Sequence, residues 1–312
     1  MKQELFRSFL LSLTIITLLL SSCYLRPADE LPALAKQNET PEMAYQSFDD
    51  TTYSHENGFE YWDILSDQGK MFYDAMWNFT LSPGISYEAN LYHFSPQDEF
   101  DKEAFYNATR FLGLDHPEKE LMQFMNMSLY YSSDSENYQD VGIGSFVAKD
   151  TYDKKMAEIE HATLPIIQLV NAQPIKKEKY RLIHDWLVYS VKYDYESYEM
   201  VINENPEAKV DPSINNIYGA LVNRLAVCDG ISDAFKYLCN QCGLECITVQ
   251  GEFPHFMDSD TKKYGHQWNL VYDENTWLLV DCTFDLSSKG HQEYFMVSPD
   301  IDGRISWYSL DY

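Results

Sequence analysis

The sequence predicts an α+β chain in which a mostly helical N-terminal region precedes one helix packed on an antiparallel sheet. Three observations predict it. From about residue 46 to 175, apolar residues recur mainly at helical spacing. The stretch "CDGISDAFKYLCNQCG" then places Ile231, Ala234, Phe235, Leu238 and Cys242 on one helical face, with Gly243 at the expected stop. From 245 onward, "ECITVQGEF", "HQWNLVY" and "WLLVDCTF" are β-branched and aromatic runs separated by turn residues.

The elements follow in chain order. Residues 1–22 read as an export signal: Lys2 and Arg7 form a basic start, and Phe9 to Leu20 is an apolar run too short to span a bilayer comfortably. The Leu20-Ser21-Ser22-Cys23 that follows resembles the bacterial lipobox. That resemblance implies a lipidated Cys23 as the mature N-terminus and a chain held on a membrane outside the cytoplasm. Residues 23–45 are polar and Pro-bearing, as in a flexible tether. In the helical region 46–175, "DILSDQGKMFYDAMWNFTL" carries Ile64, Leu65, Met71, Phe72, Ala75, Met76 and Phe79 at helical spacing. A second helix is expected after Ser95-Pro96, closing at Gly113. "LYHF" reads as a short strand, and "NMSLYYSSD" with "VGIGSFVA" as a strand pair. Asp115-His116-Pro117 is a turn, which favours a structural His116 over a ligand.

A final domain is expected over 176–312. It opens with the amphipathic helix "KKEKYRLIHDWLVYSVK", whose stripe is Tyr180, Ile183, Leu187 and Val191. His184 and Asp185 are neighbours that do not face each other on a helix, so packing and surface polarity are their expected roles. Residues 194–213 read as an excursion loop and "INNIYGALVNRLA" as a helix.

The chemistry concentrates on three side chains. Cys228 stands at the start of its helix, where unpaired N–H groups and the helix dipole favour an anion and lower a thiol pKa. Pairing Tyr272 with Trp277 in the hairpin puts His266 and Asp281 on one sheet face as diagonal neighbours, within reach of a hydrogen bond. A slip of one residue would separate them. If that face meets the helix start, Cys228 is a nucleophile, His266 its base and later acid, and Asp281 the group that orients the ring. The Cys228 N–H is one oxyanion donor. Tyr218 is a candidate for the second, with a core tyrosine as the competing reading.

These same stretches, "VCDGISDAFKYLCNQCGLECITVQG", "GHQWNLVY" and "WLLVDCTFD", closely resemble the transglutaminase-like superfamily in its bacterial form. The likeness extends through "IHDWLVYSVKYD" and "YGALVN", about residues 176–290. It implies a papain-like α+β core, a Cys228-His266-Asp281 triad and thiol-based acyl transfer on peptide or protein amides. Arg224 stands where family members often carry glycine, and Ile231-Ser232 replaces the common Tyr-Ala.

No cofactor or metal is expected. Cys239, Cys242 and Cys246 lack a fourth ligand at matching spacing and, with Cys282, read as small buried hydrophobes, a disulfide staying open. The formal net charge of -26 excludes phosphate-backbone binding as a default. The expected partners are a peptide or protein substrate and, through the lipid, a membrane. A non-catalytic surface lipoprotein that keeps the fold is the alternative function.

Overall fold

The computed structural model describes residues 44–46, 53, 59–84, 88–94, 100–131, 139–145, 147–202, 210–254, 263–287 and 292–308. The signal, the tether up to residue 43 and Cys23 lie outside the described residues. The chain forms two compact units, one of Cys23–Met156 and one that includes Ala157–Tyr312.

The first unit combines helices with a four-stranded sheet. Strands β1 (Ala44–Gln46), β2 (Glu88–Phe94), β3 (Phe124–Tyr131) and β4 (Gln139–Ser145) lie in the order β1-β2-β4-β3. Helix α1 (Asp67–Trp77) starts at a Ser66 cap, and α2 (Lys102–Asp115) at Asp101, whose carboxylate accepts from the N–H groups of Glu103 and Ala104. The α2 start thus lies beyond the expected Ser95-Pro96, because Asp101 supplies the cap. The helix also runs past Gly113. Phe72, Tyr73, Met76 and Phe105 are buried. His116 ends α2, as its turn signal implied, and meets the Tyr53 hydroxyl at 2.7 Å.

In the second unit, α3 (Lys149–Asn171, which enters it at Ala157) and α4 (Lys176–Ser190) precede the short strand β5 (Lys192–Tyr193). Tyr180, Ile183 and Leu187 of α4 are buried, as their spacing requires. The expected excursion loop begins instead with helix α5 (Tyr195–Ile202). The expected helix before Cys228 is broken into a 3-10 turn (Pro212–Asn215), a π turn (Gly219–Asn223) and β6 (Leu225–Ala226), which pairs in parallel with β5. The break falls at Arg224, whose φ of 58° no helix interior accepts. This is why glycine is natural at that position. The arginine instead lays its guanidinium 4.2 Å from the Trp186 ring centre.

Helix α6 (Cys228–Gln241) follows directly, and Gly243 closes it with φ of 62°. The sheet beside it comprises β7 (Cys246–Pro254), β8 (Lys263–Asp273), β9 (Thr276–Val280), β10 (Phe295–Val297) and β11 (Ile305–Ser306). Its order is β10-β9-β8-β7-β11, with every pairing antiparallel. The central strand β8 is buried from His266 to Val271, so both of its faces are covered.

Candidate active site

The hairpin register is the one the turn implies. Tyr272 pairs with Trp277 and Asn269 with Val280. Strand β9, however, ends at Val280 rather than at the expected Phe284, and Cys282–Ser287 is a short helix, α7. Asp281 explains the change. Its Oδ1 accepts from the Phe284 N–H at 3.1 Å and its carbonyl from the Asp285 N–H at 3.2 Å, so Asp281 caps α7 instead of continuing the ladder. Its other oxygen, Oδ2, lies 2.7 Å from His266 Nε2. One carboxylate thus ends the strand, starts the helix and holds the imidazole.

Around the His266 ring the walls are aromatic. Phe284 stacks on it at 4.7 Å between ring centres, and Phe253 meets it edge-on at 5.3 Å. The ring is therefore confined in plane and in tautomer, since Nε2 must carry the hydrogen that faces Asp281. His266 and Asp281 are 6% and 1% exposed. Burial on its own would raise the Asp281 carboxyl. His266, Arg304 and the Phe284 N–H together hold it below the ordinary carboxylate range.

Cys228 occupies the first position of α6. Val227 before it supplies no side-chain cap to the first-turn N–H groups. The thiol itself donates to Asp229 Oδ1 at 3.6 Å. The expectation of a lowered thiol pKa is corrected here. Burial pushes the Cys228 thiol well up, the Asp229 carboxylate adds to this, and the Gln267 N–H opposes it. The helix end is outweighed because the sulfur is shut away from water with a carboxylate beside it.

A buried polar clamp, not anticipated from the sequence, fixes α6 on β8. Gln267 Nε2 donates to Asp233 Oδ1 at 2.6 Å and Ser232 Oγ at 2.8 Å, and its Oε1 accepts from Gln250 at 2.6 Å. Asn269 Nδ2 donates to the Ser232 carbonyl at 3.1 Å. Ser232 in turn bonds the Cys228 carbonyl at 2.7 Å. The available signal was the pair of polar residues two apart within the buried run from His266 to Val271; both lie on the face opposite His266, so the clamp holds α6 on that face and not on the His266 face that the sequence reading required to meet the helix start. Gly230 completes the fit: a Cβ there would lie 2.6 Å from the Ile214 carbonyl and 2.9 Å from that of Asn216.

Other candidates fall differently. Tyr218 is only half-buried and its hydroxyl donates to Glu158 Oε2 at 2.5 Å, so it fits neither the core nor the donor reading. His184 is buried, with Nε2 2.9 Å from Asp285 Oδ2. Its Nδ1 also reaches Asp185 Oδ1 at 3.0 Å, contact that adjacency on a helix was expected to prevent. Cys239, Cys246 and Cys282 are free and buried; Cys242 is free and half-buried.

Solved structures share a general likeness with this chain. A crystal structure of a TGase is 15% identical over 78% of this chain and 60% of that one, with a TM-score of 0.33. The periplasmic domain of TgpA from Pseudomonas aeruginosa is 12% identical over 49% of this chain and 57% of that one, with a TM-score of 0.31. Kyphoscoliosis peptidase of Mus musculus is 30% identical over 111 residues, 34% of this chain and 15% of that protein. The Homo sapiens protein of the same name is 29% identical over 111 residues, again 34% and 15%. The matched segment thus spans only 15% of the length of these curated relatives. The family model of the transglutaminase-like superfamily matches residues 167–282, the segment that carries α4, α6 and the hairpin up to Asp281. Over those residues this chain carries a domain of the transglutaminase-like superfamily.

Proposed function

We propose that the protein is an extracytoplasmic, lipid-anchored cysteine enzyme that performs acyl transfer on peptide or protein amides. The observation that carries this reading is the 2.7 Å contact of His266 Nε2 with Asp281 Oδ2; Cys228, first residue of its helix, is the thiol that the reading assigns to this pair. With Nε2 committed to Asp281, Nδ1 is the nitrogen that takes the Cys228 proton. The thiolate then attacks the amide carbonyl carbon, and an S–C bond forms. The oxyanion is held by the Cys228 N–H. The C–N bond breaks as His266 returns the proton to the leaving amine, which leaves a thioester on Cys228. Attack by water completes hydrolysis and attack by an amine completes cross-linking. Because burial and Asp229 favour the neutral thiol, thiolate formation belongs to the reaction step and not to the resting state.

One observation favours a second reading, a surface lipoprotein that binds without turnover. The thiol is buried and donates to Asp229. Iodoacetamide labelling of the full chain near neutral pH separates the two. Alkylation of Cys228 that slows at least tenfold in His266→Ala supports the enzyme; equal labelling rates in both reject it. Mass spectrometry of the N-terminus tests the anchor, with a diacylated Cys23 expected and an unmodified N-terminus refuting it.

A further inference from the structure

We propose that Arg304, which lies beyond the matched domain, is a positioning residue of this site: it holds the Asp281 carboxylate against the His266 ring. The inference rests on the His266–Asp281 reading above, but its test does not depend on turnover.

The geometry is specific. Arg304 Nη1 donates to Asp281 Oδ2 at 3.0 Å, and this is the same oxygen that faces His266 Nε2. Asp281 is thus fixed from three sides: by Phe284 N–H on Oδ1, and by His266 and Arg304 on Oδ2. The arginine is itself held. Its Nε and Nη2 donate to Asp302 Oδ1 and Oδ2 at 2.8 and 2.5 Å, a two-pronged pair that fixes the plane of the fork. Gly303, at φ of 71°, turns the chain so that Asp302 can fold back on its second neighbour. The guanidinium lies 4.8 Å from the Trp268 ring centre, 5.4 Å from Phe284 and 5.6 Å from Tyr294. Its side chain is 2% exposed. A buried cation with this many fixed partners cannot drift, so its third prong has one destination.

The charges also balance. Asp302 and Arg304 neutralise each other, which leaves the Asp281 charge for the imidazolium that forms when Cys228 gives up its proton. The titratable groups around Asp281 are His266 on β8, Arg304, Cys228 on α6, Cys282 on its own helix, and Tyr294. Arg304 is the permanent cation among them. Arg304 also makes Asp281 a weaker base, so the proton stays on the ring and does not pass to the carboxylate.

The test titrates the ¹³C-labelled Asp281 carboxyl by NMR in the full chain, assigned with Asp281→Asn. Arg304→Met is expected to raise the carboxyl midpoint by about one pH unit, since a close opposite charge is lost. Arg304→Lys, which keeps the charge, brings it back toward the native value. Asp302→Asn moves it the other way, because the guanidinium is then shared with one carboxylate only. Cys228 alkylation slows about tenfold in Arg304→Met while the near-ultraviolet circular dichroism stays native. A midpoint unmoved in folded Arg304→Met overturns the inference. Should that variant not fold, an Asp302→Asn midpoint that fails to fall overturns it equally. If His266→Ala alkylates at the native rate, the enzyme reading is lost, and the carboxyl titration still decides the role of Arg304.

Discussion

Replacing Gln267 by Met tests whether the polar clamp, and not merely apolar packing, seats helix α6 on β8. Gln267 is 1% exposed, and methionine keeps its length and nearly its volume. The change therefore removes hydrogen bonds while leaving little cavity. The donor to the Asp233 carboxylate at 2.6 Å is the largest loss, about 1.5–3 kcal/mol for a bond to a charged group. The bonds to Ser232 Oγ and from Gln250 add about 1 kcal/mol each. The buried methionine returns about 1 kcal/mol of transfer energy. The net expectation is a loss of about 3 kcal/mol. For a unit of this size that is a fall in melting temperature of roughly 6–12 °C. Thermal unfolding followed by near-ultraviolet circular dichroism measures it, with the exposed Tyr189→Phe as a control that shifts by less than about 0.5 kcal/mol. A Gln267→Met protein that melts within about 2 °C of the parent would show that α6 is held on β8 by its apolar face alone.

Two further outcomes follow from the same geometry. Asp229→Asn removes the carboxylate that, after burial, pushes the Cys228 thiol up most. A raised thiol pKa means that the thiolate appears only at higher pH, so the substitution shifts the alkylation profile toward lower pH and speeds labelling near neutrality; an unchanged profile would assign the whole effect to burial. Gly230→Ala gains helix propensity, about 1 kcal/mol at most, but drives a methyl to 2.6 Å from the Ile214 carbonyl. Overpacking against backbone costs about 1–3 kcal/mol, so a lower melting temperature is expected, and a stabilised variant would mean that the 212–216 turn yields freely.

Much of the site was legible because it depends on short-range rules. The course of α6 from Cys228 follows from apolar spacing and from the closing Gly243. The hairpin register follows from four turn residues, and a side-chain period of two then forces His266 and Asp281 together. Where local rules compete, the sequence was ambiguous. "WLLVDCTF" satisfies strand propensity throughout, yet Asp281 stops it at Val280 by accepting the first-turn N–H of α7. "INNIYGALVNRLA" has helical spacing, yet the chain must reach a left-handed conformation at Arg224 to enter β6.

The pairing of His266 with Asp281 and the start of α6 at Cys228 could be read from neighbouring residues alone, since helix start, turn and alternation are local patterns. Their electrostatics and their support come from long-range packing. Burial beside Asp229 pushes the Cys228 thiol up, where the helix start alone was expected to bring it down. The Gln267 clamp and the Arg304 prong reach the site across distances in the chain at which no local pattern operates. Solvent exclusion and long-range pairing are properties of the packed chain, and they exist only once β8 is covered on both faces.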